Sequence, residues 1–226
     1  MNTLQKSAKL VGVLFIIGTV SGIFSLNTAS LLNAPDYLVL LAENETALKF
    51  GVLSVLIMGF SLSMMSVVLY PVIEAYSETL ALGSVIFRGA LELVCYLAIA
   101  ISWLLLLSVS QSYVVSESRA MTEFHLMGET LQSMANLSGS VGLDLVFSLG
   151  SIMINYVLLK TNLLPKWLSI WDLVGAVLYL LTPIFLLLGY DLTFLQAVLG
   201  VQEMVMAAWL IVKGFNESAY LKILSV

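Results

Sequence analysis

Charged residues are scarce in this chain, making up 10% of its 226 residues. A soluble globular domain has roughly 25% charged residues, and a chain with so few cannot cover a surface that faces water. Hydrophobic residues account for 60% of the chain, and the mean hydropathy is +1.04. The composition therefore excludes an ordinary soluble domain and predicts a protein that lies in the lipid bilayer.

Cysteine and histidine are almost absent, with one of each, Cys95 and His125. No internal disulfide can form, and no zinc-ligand spacing exists. The net charge is −5 and the pI is about 4.8, so we expect no nucleic-acid partner, because such proteins carry basic surfaces. No HExxH, GxSxG, P-loop or GxGxxG motif occurs. We therefore expect no metal centre and no cofactor.

Long apolar segments dominate what is present. A membrane-spanning helix needs roughly 20 mainly apolar residues, and six segments qualify. They predict an all-α integral membrane protein, with residues 1–226 forming a single domain built as a six-transmembrane-helix bundle. We interpret the first segment as a true span because no small-residue cleavage site follows it. The predicted spans are 8–26, 50–70, 81–108, 139–159, 167–188 and 193–212.

Positive charge predicts the orientation of this bundle. The loops on the other side contain only Lys49 and Arg119 as cations, among many acids. Lysines are concentrated on the side of the termini, which we predict to be cytoplasmic in a protein of the plasma membrane. These lysines are Lys6, Lys9, Lys160, Lys166, Lys213 and Lys222.

Two segments on the opposite side are longer than simple turns. Residues 29–46 predict a short surface helix, with Pro35 at a favourable starting position. Between the third and fourth spans, apolar residues recur at helical spacing and predict an amphipathic external helix, lying either at the membrane interface or as a lid over a cavity. Its predicted apolar face comprises Ala120, Phe124, Met127, Leu131 and Met134.

Polar residues inside the predicted spans share helix faces. Arg88 and Glu92 are four residues apart, so they lie on one side of the third helix and can pair. At about 1.5 Å per residue, Arg88, Glu92 and Glu203 all reach the central layer of the bilayer, whereas Asp144 is shallower. The predicted polar pocket, which either binds a ligand or is structural, comprises Arg88, Glu92, Asp144, Ser148, Ser151, Gln202 and Glu203.

The charges in this predicted pocket do not balance. A charged side chain at the bilayer centre costs roughly 2.5 to 3.5 kcal/mol, and one arginine faces three acids. If Arg88 pairs with Glu92, then Glu203 and Asp144 lack a cation. A protonated carboxyl, a bound cation or penetrating water would each remove the imbalance.

Three functions are compatible with such a pocket. The first is binding or transport of a small solute or cation. The second is a non-enzymatic assembly or interaction role, in which the polar residues only hold helices together. The third is an intramembrane enzyme with a carboxylate as general acid or base. No inverted repeat is visible, which counts against common transporter architectures.

Four stretches of the sequence resemble a known family. They are DYLVLLAENETALKFGVL at 36–53, LYPVIEAYSETLALGSVIFRGALE at 69–92, LLPKWLSIWDLVGAVLYLL at 163–181 and LQAVLGVQEMVMAAWLIVKGFN at 195–216. They are similar to an uncharacterised bacterial membrane family, domain of unknown function 4386. This resemblance implies a multi-helix membrane protein standing alone as one domain, and it implies no activity.

Overall fold

The computed structural model describes residues 3–116 and 122–225. In this part of the chain every regular element is helical, because the lipid-facing backbone must satisfy its own hydrogen bonds. The α-helices are α1 (Thr3–Leu32), α2 (Tyr37–Glu43), α3 (Glu45–Glu74), α4 (Glu78–Ser84), α5 (Glu92–Val115), α6 (Thr122–Leu137), α7 (Asp144–Thr161), α8 (Lys166–Leu187), α9 (Gln196–Val212) and α10 (Glu217–Leu224).

Six continuous helices are long and apolar enough to cross a membrane, which confirms the predicted six-span, all-α architecture. Each extends beyond its predicted span or matches it within a few residues, because the sequence shows only the apolar part of a helix. The six helices are Thr3–Leu32, Glu45–Glu74, Glu78–Val115, Thr122–Thr161, Lys166–Leu187 and Thr193–Val212.

Apolar side chains cover the outside of the bundle as well as its core. Phe24, Phe50 and Phe60 are 61%, 65% and 52% exposed, a pattern expected for a surface that faces lipid rather than water. Inside the bundle α1 packs against α3 and α9, and α7 packs against α8.

The two ends of the chain lie on the same side, where the Gln5 amide donates a hydrogen bond to the Phe215 carbonyl (2.8 Å). The cytoplasmic orientation of this side stays a prediction.

Two of the spanning helices contain a π-helical segment. Val85–Leu91 joins α4 to α5, and Ser138–Leu143 joins α6 to α7. The amide of Glu92 donates to the carbonyl of Phe87, five residues earlier. Each π-helical segment ends immediately before a buried carboxylate, Glu92 in one case and Asp144 in the other. Such segments are frequent at functional sites.

The external helix between the third and fourth spans is α6, and it continues into α7 as one helix. Together they span 40 residues, or about 60 Å at 1.5 Å per residue, so α6 projects beyond a hydrocarbon core of about 30 Å. It packs along the end of α5 and over Tyr37 of α2. The short helix expected within 29–46 is α2.

The packed face of α6 differs from the predicted one. Gly128 and Ala135 are buried, with Leu131 partly buried between them, whereas Met127 and Met134 are about half exposed. The small residues face inward because α5 and α2 approach closely: a Cβ on Gly128 would lie 2.3 Å from the Tyr37 hydroxyl oxygen. Ala120 of the predicted face lies outside the described residues.

Candidate functional site

Arg88 is the centre of the buried polar cluster. Its side chain is 2% exposed, and its Nη2 donates to Oε1 of Glu203 across 2.9 Å. The π-helical segment carries Arg88 and α9 carries Glu203, so the ion pair joins the third and sixth spans. The structure therefore brings these two predicted residues together, whereas their depth in the bilayer and a binding role for them stay predictions.

Close packing against α7 fixes the backbone of Arg88. A Cβ on Gly150 would lie 2.7 Å from the Arg88 Cβ and 2.8 Å from its backbone nitrogen. Only glycine leaves enough room for this approach. The guanidinium then lies over the ring of Phe147, with 4.2 Å from its carbon to the ring centroid, which adds a cation–π attraction in a desolvated setting.

Glu92 is not the close partner of Arg88 that a regular α-helix predicts. Its Oε2 lies 3.9 Å from Arg88 Nη1, beyond hydrogen-bond distance, and neither of its carboxyl oxygens has a hydrogen-bond partner. The side chain is nonetheless fully buried. The two side chains therefore form only a loose ion pair, and the hydrogen bond of Arg88 goes to Glu203.

Asp172 on α8 belongs to the polar cluster, although the predicted pocket did not include it. It is 1% exposed and lines the same small cavity as Arg88 and Glu203, while its Oδ2 has no hydrogen-bond partner. Its helical face, shared with Tyr179, was visible in the sequence. Its position only six residues after Lys166, where an interface is expected, concealed its burial.

The polar stripe of α7 bonds mainly within its own helix. The Asn155 amide donates to the carbonyl and hydroxyl oxygens of Ser151 (2.9 and 3.1 Å), and Ser148 donates to the carbonyl of Asp144 (2.6 Å). Gln202 is fully buried and donates weakly to the Leu168 carbonyl (3.4 Å). Of these residues, Ser151 and Asn155 line the cavity beside Asp172.

Asp144 belongs to a second, separate polar group. Its Oδ2 accepts a hydrogen bond from the Gln196 amide (2.6 Å), at the end of the bundle away from the termini. The rings of Phe147 and Tyr179 lie between Asp144 and the bundle centre. Their centroids are 4.7 Å apart. The charge count left Asp144 without a cation. In the structure its partner is the neutral amide of Gln196 rather than Arg88.

The cavity at the Arg88 cluster is small, about 10 Å³. This is close to the minimum volume that holds one water molecule. Toward the termini it is closed by apolar residues, among them Leu164 and Phe215, which also line a surface cavity of about 390 Å³. Leu164 and Phe215 therefore lie between the cluster and that surface cavity, and an organic solute does not fit the cluster as it stands.

One buried guanidinium faces three carboxyl groups in this cluster, those of Glu92 and Asp172, which are buried, and that of Glu203, which is partly exposed. If all were ionised the formal charge would be −2. Among residues 3–116 and 122–225, no three histidine, cysteine, aspartate or glutamate side chains are placed to hold a metal ion together. In that ionisation state the cluster would need a species that compensates the excess negative charge.

Comparison with known proteins gives one match. A family model described as domain of unknown function (DUF4386) matches residues 10–214, which cover all but the two ends of the bundle and include every residue of the Arg88 cluster. No curated protein and no solved structure matches the chain.

Proposed function

The chain belongs to the domain of unknown function 4386 family, and we propose that this multi-pass membrane protein binds a small cation at the Arg88 cluster, with the proton as the species that fits best. The observation that carries the proposal is the state of Glu92, whose two oxygens are buried and have no hydrogen-bond partner. An ionised carboxylate in that setting is costly, and uptake of a proton removes the charge.

The size of the cavity favours a proton over a larger species. A volume of about 10 Å³ leaves room for one water molecule at most, and a proton on a carboxyl group needs no coordination shell. The carboxyl groups of Glu92 and Asp172 each have at least one free oxygen to receive it. Binding of a small solute, the wider expectation from the sequence, would require the bundle to open.

We place the path of the proton between the Arg88 cluster and the surface cavity on the side of the termini. Leu164 and Phe215 separate the two, so water reaches the cluster once these side chains part. Intramembrane carboxylates that lie beside water routes commonly serve as proton relays. Asp144 and Gln196 would form the corresponding station toward the opposite face, beyond the rings of Phe147 and Tyr179.

A structural role is the second candidate, and the Arg88–Glu203 ion pair favours it. This pair links the third span to α9, which otherwise packs mainly against α1 and α8. Hydrogen bonds of this kind hold membrane helices together. A structural role accounts for Glu203 but gives no reason for the additional buried acids Glu92 and Asp172, which have unpartnered oxygens.

Titration of the purified protein tests proton binding. From strongly acidic to neutral pH, the Glu92→Gln protein should release as many protons as the wild type, because Glu92 keeps its proton at neutral pH. Asp191→Asn is the matched control: Asp191 is an exposed acid between α8 and α9, and hydrogen bonds from Thr193 lower the pKa of its carboxyl group, so this variant should release one proton fewer. If Glu92→Gln also releases one proton fewer, Glu92 is ionised at neutral pH and the proposal fails.

A further inference from the structure

Two surface cavities on the side of the termini meet at one pair of asparagines. Asn162, after α7, and Asn216, before α10, line both of them. One cavity has a volume of about 390 Å³ and the other about 610 Å³. Together they form a groove at the end of the bundle where the termini lie, outside the Arg88 cluster.

Four lysines line this groove, three on helices and one in the turn after α9. Lys160 and Lys222 line the larger cavity, and Lys166 and Lys213 line the smaller one, while no acidic residue among those that the structure describes lines either. Within the described ranges the structure pairs none of the four with a carboxylate. Glu217, at the start of α10, accepts a hydrogen bond from Gln5 instead (3.1 Å). The groove is therefore a site of positive charge without an internal counter-ion.

The groove lies at the level of the membrane interface. Trp167, which is 52% exposed, packs edge to face on Trp209 (6.4 Å between ring centroids), and tryptophan is enriched at the headgroup level. On α10, Leu221 and Leu224 are 64% and 59% exposed beside Lys222. An amphipathic helix with this arrangement lies in the plane of the interface.

The frame of the groove is preformed. The amide of Asn216 donates to the Leu163 carbonyl (3.0 Å), joining the loop before α10 to the loop after α7. The Asn216 side chain accepts from the Ala219 amide (3.3 Å) and from the Ser218 hydroxyl (2.8 Å). A ligand would therefore meet lysines held on fixed elements rather than on a flexible tail.

From this geometry we infer a binding site for the phosphate of an anionic phospholipid headgroup. Lysine ammonium groups bind phosphate oxygens as point charges, and Ile223 of α10 lines the larger cavity beside Lys222, where it offers apolar surface to an acyl chain of the same lipid. The Asn162 side chain also lines both cavities. A soluble phosphate would use the lysines but not the apolar surface of α10.

Binding of short-chain lipid in a neutral detergent tests this site without a charged membrane surface. Wild-type protein should bind short-chain phosphatidylglycerol in preference to phosphatidylcholine. Replacing both Lys160 and Lys222 with glutamine should weaken phosphatidylglycerol binding by about tenfold or more, since each hydrogen bond to a charged group is a strong one. The matched control replaces Lys6 and Lys9, exposed lysines at the start of α1 that line neither cavity.

Each outcome bears on the proposal. Loss of phosphatidylglycerol binding in the groove variant with retention in the control supports a specific site. Equal loss in both variants would show attraction to overall surface charge and would overturn it. Inorganic phosphate that competes at the same concentration as the lipid would also overturn it, because the acyl chains would then contribute nothing.

Discussion

Replacing Arg88 with methionine is expected to destabilise the folded protein by about 3 to 5 kcal/mol, the typical cost of removing one partner from a buried ion pair. Methionine keeps only the apolar stem of the side chain, so it removes the guanidinium that lies over Phe147 and leaves Glu203 without its cation. The free energy of unfolding in mixed micelles measures the effect. A loss below about 1 kcal/mol, the range of exposed ion pairs, would show that Arg88 does not neutralise the cluster.

The double variant Arg88→Met with Glu203→Gln separates the two candidate functions. It removes the ion pair and leaves Glu92 and Asp172 as the remaining acids. If these two carry protons, the double variant has no net charge in the cluster and should recover most of the lost stability. If they are ionised, the double variant still holds two uncompensated charges and should recover little of the lost stability. The coupling is read from the complete double-mutant cycle.

Replacing Gly150 with alanine is expected to cost about 1 to 3 kcal/mol through overpacking. The new methyl group would meet the backbone of Arg88, 2.8 Å from its nitrogen, and a backbone cannot turn aside as the end of a side chain can. We therefore expect α7 and the π-helical segment to separate, with the cluster losing its geometry. Thermal unfolding in detergent measures the change.

Gly200 provides the matched control for this prediction. It lies within α9 on an exposed face, and a Cβ there would have nothing within 4 Å. Gly200→Ala should be neutral or stabilising by up to about 1 kcal/mol, because alanine favours the helix. Equal destabilisation in both variants would mean that the contact between Gly150 and Arg88 is not what limits the packing.

The spans could be predicted from the sequence because each depends on a long run of local apolar residues. The same holds for α2 and for the existence of α6. The packed face of α6 could not be predicted, since it depends on how closely Tyr37 approaches Gly128, a contact between distant parts of the chain. Hydrophobicity alone favoured the methionines, which in fact remain half exposed.

The candidate site could be predicted from the sequence only in part. Arg88, Glu92 and Glu203 were recognisable because charges inside an apolar run stand out, and helical rise placed them at one depth. Which acid accepts the hydrogen bond of Arg88 was not recognisable, because helical spacing favours Glu92 and the contact with Glu203 joins distant parts of the chain. Asp172 was concealed by its closeness to the membrane interface, where an acid needs no explanation.

Infrared spectroscopy of the protein at neutral pH most directly tests whether the Arg88 cluster holds a proton. A protonated carboxyl group absorbs separately from a carboxylate, and its band shifts when the carboxyl proton itself exchanges for deuterium. Wild-type protein and the Asp191→Asn control should show this band, and Glu92→Gln or Asp172→Asn should reduce it. A wild-type spectrum without any protonated carboxyl band would contradict the account.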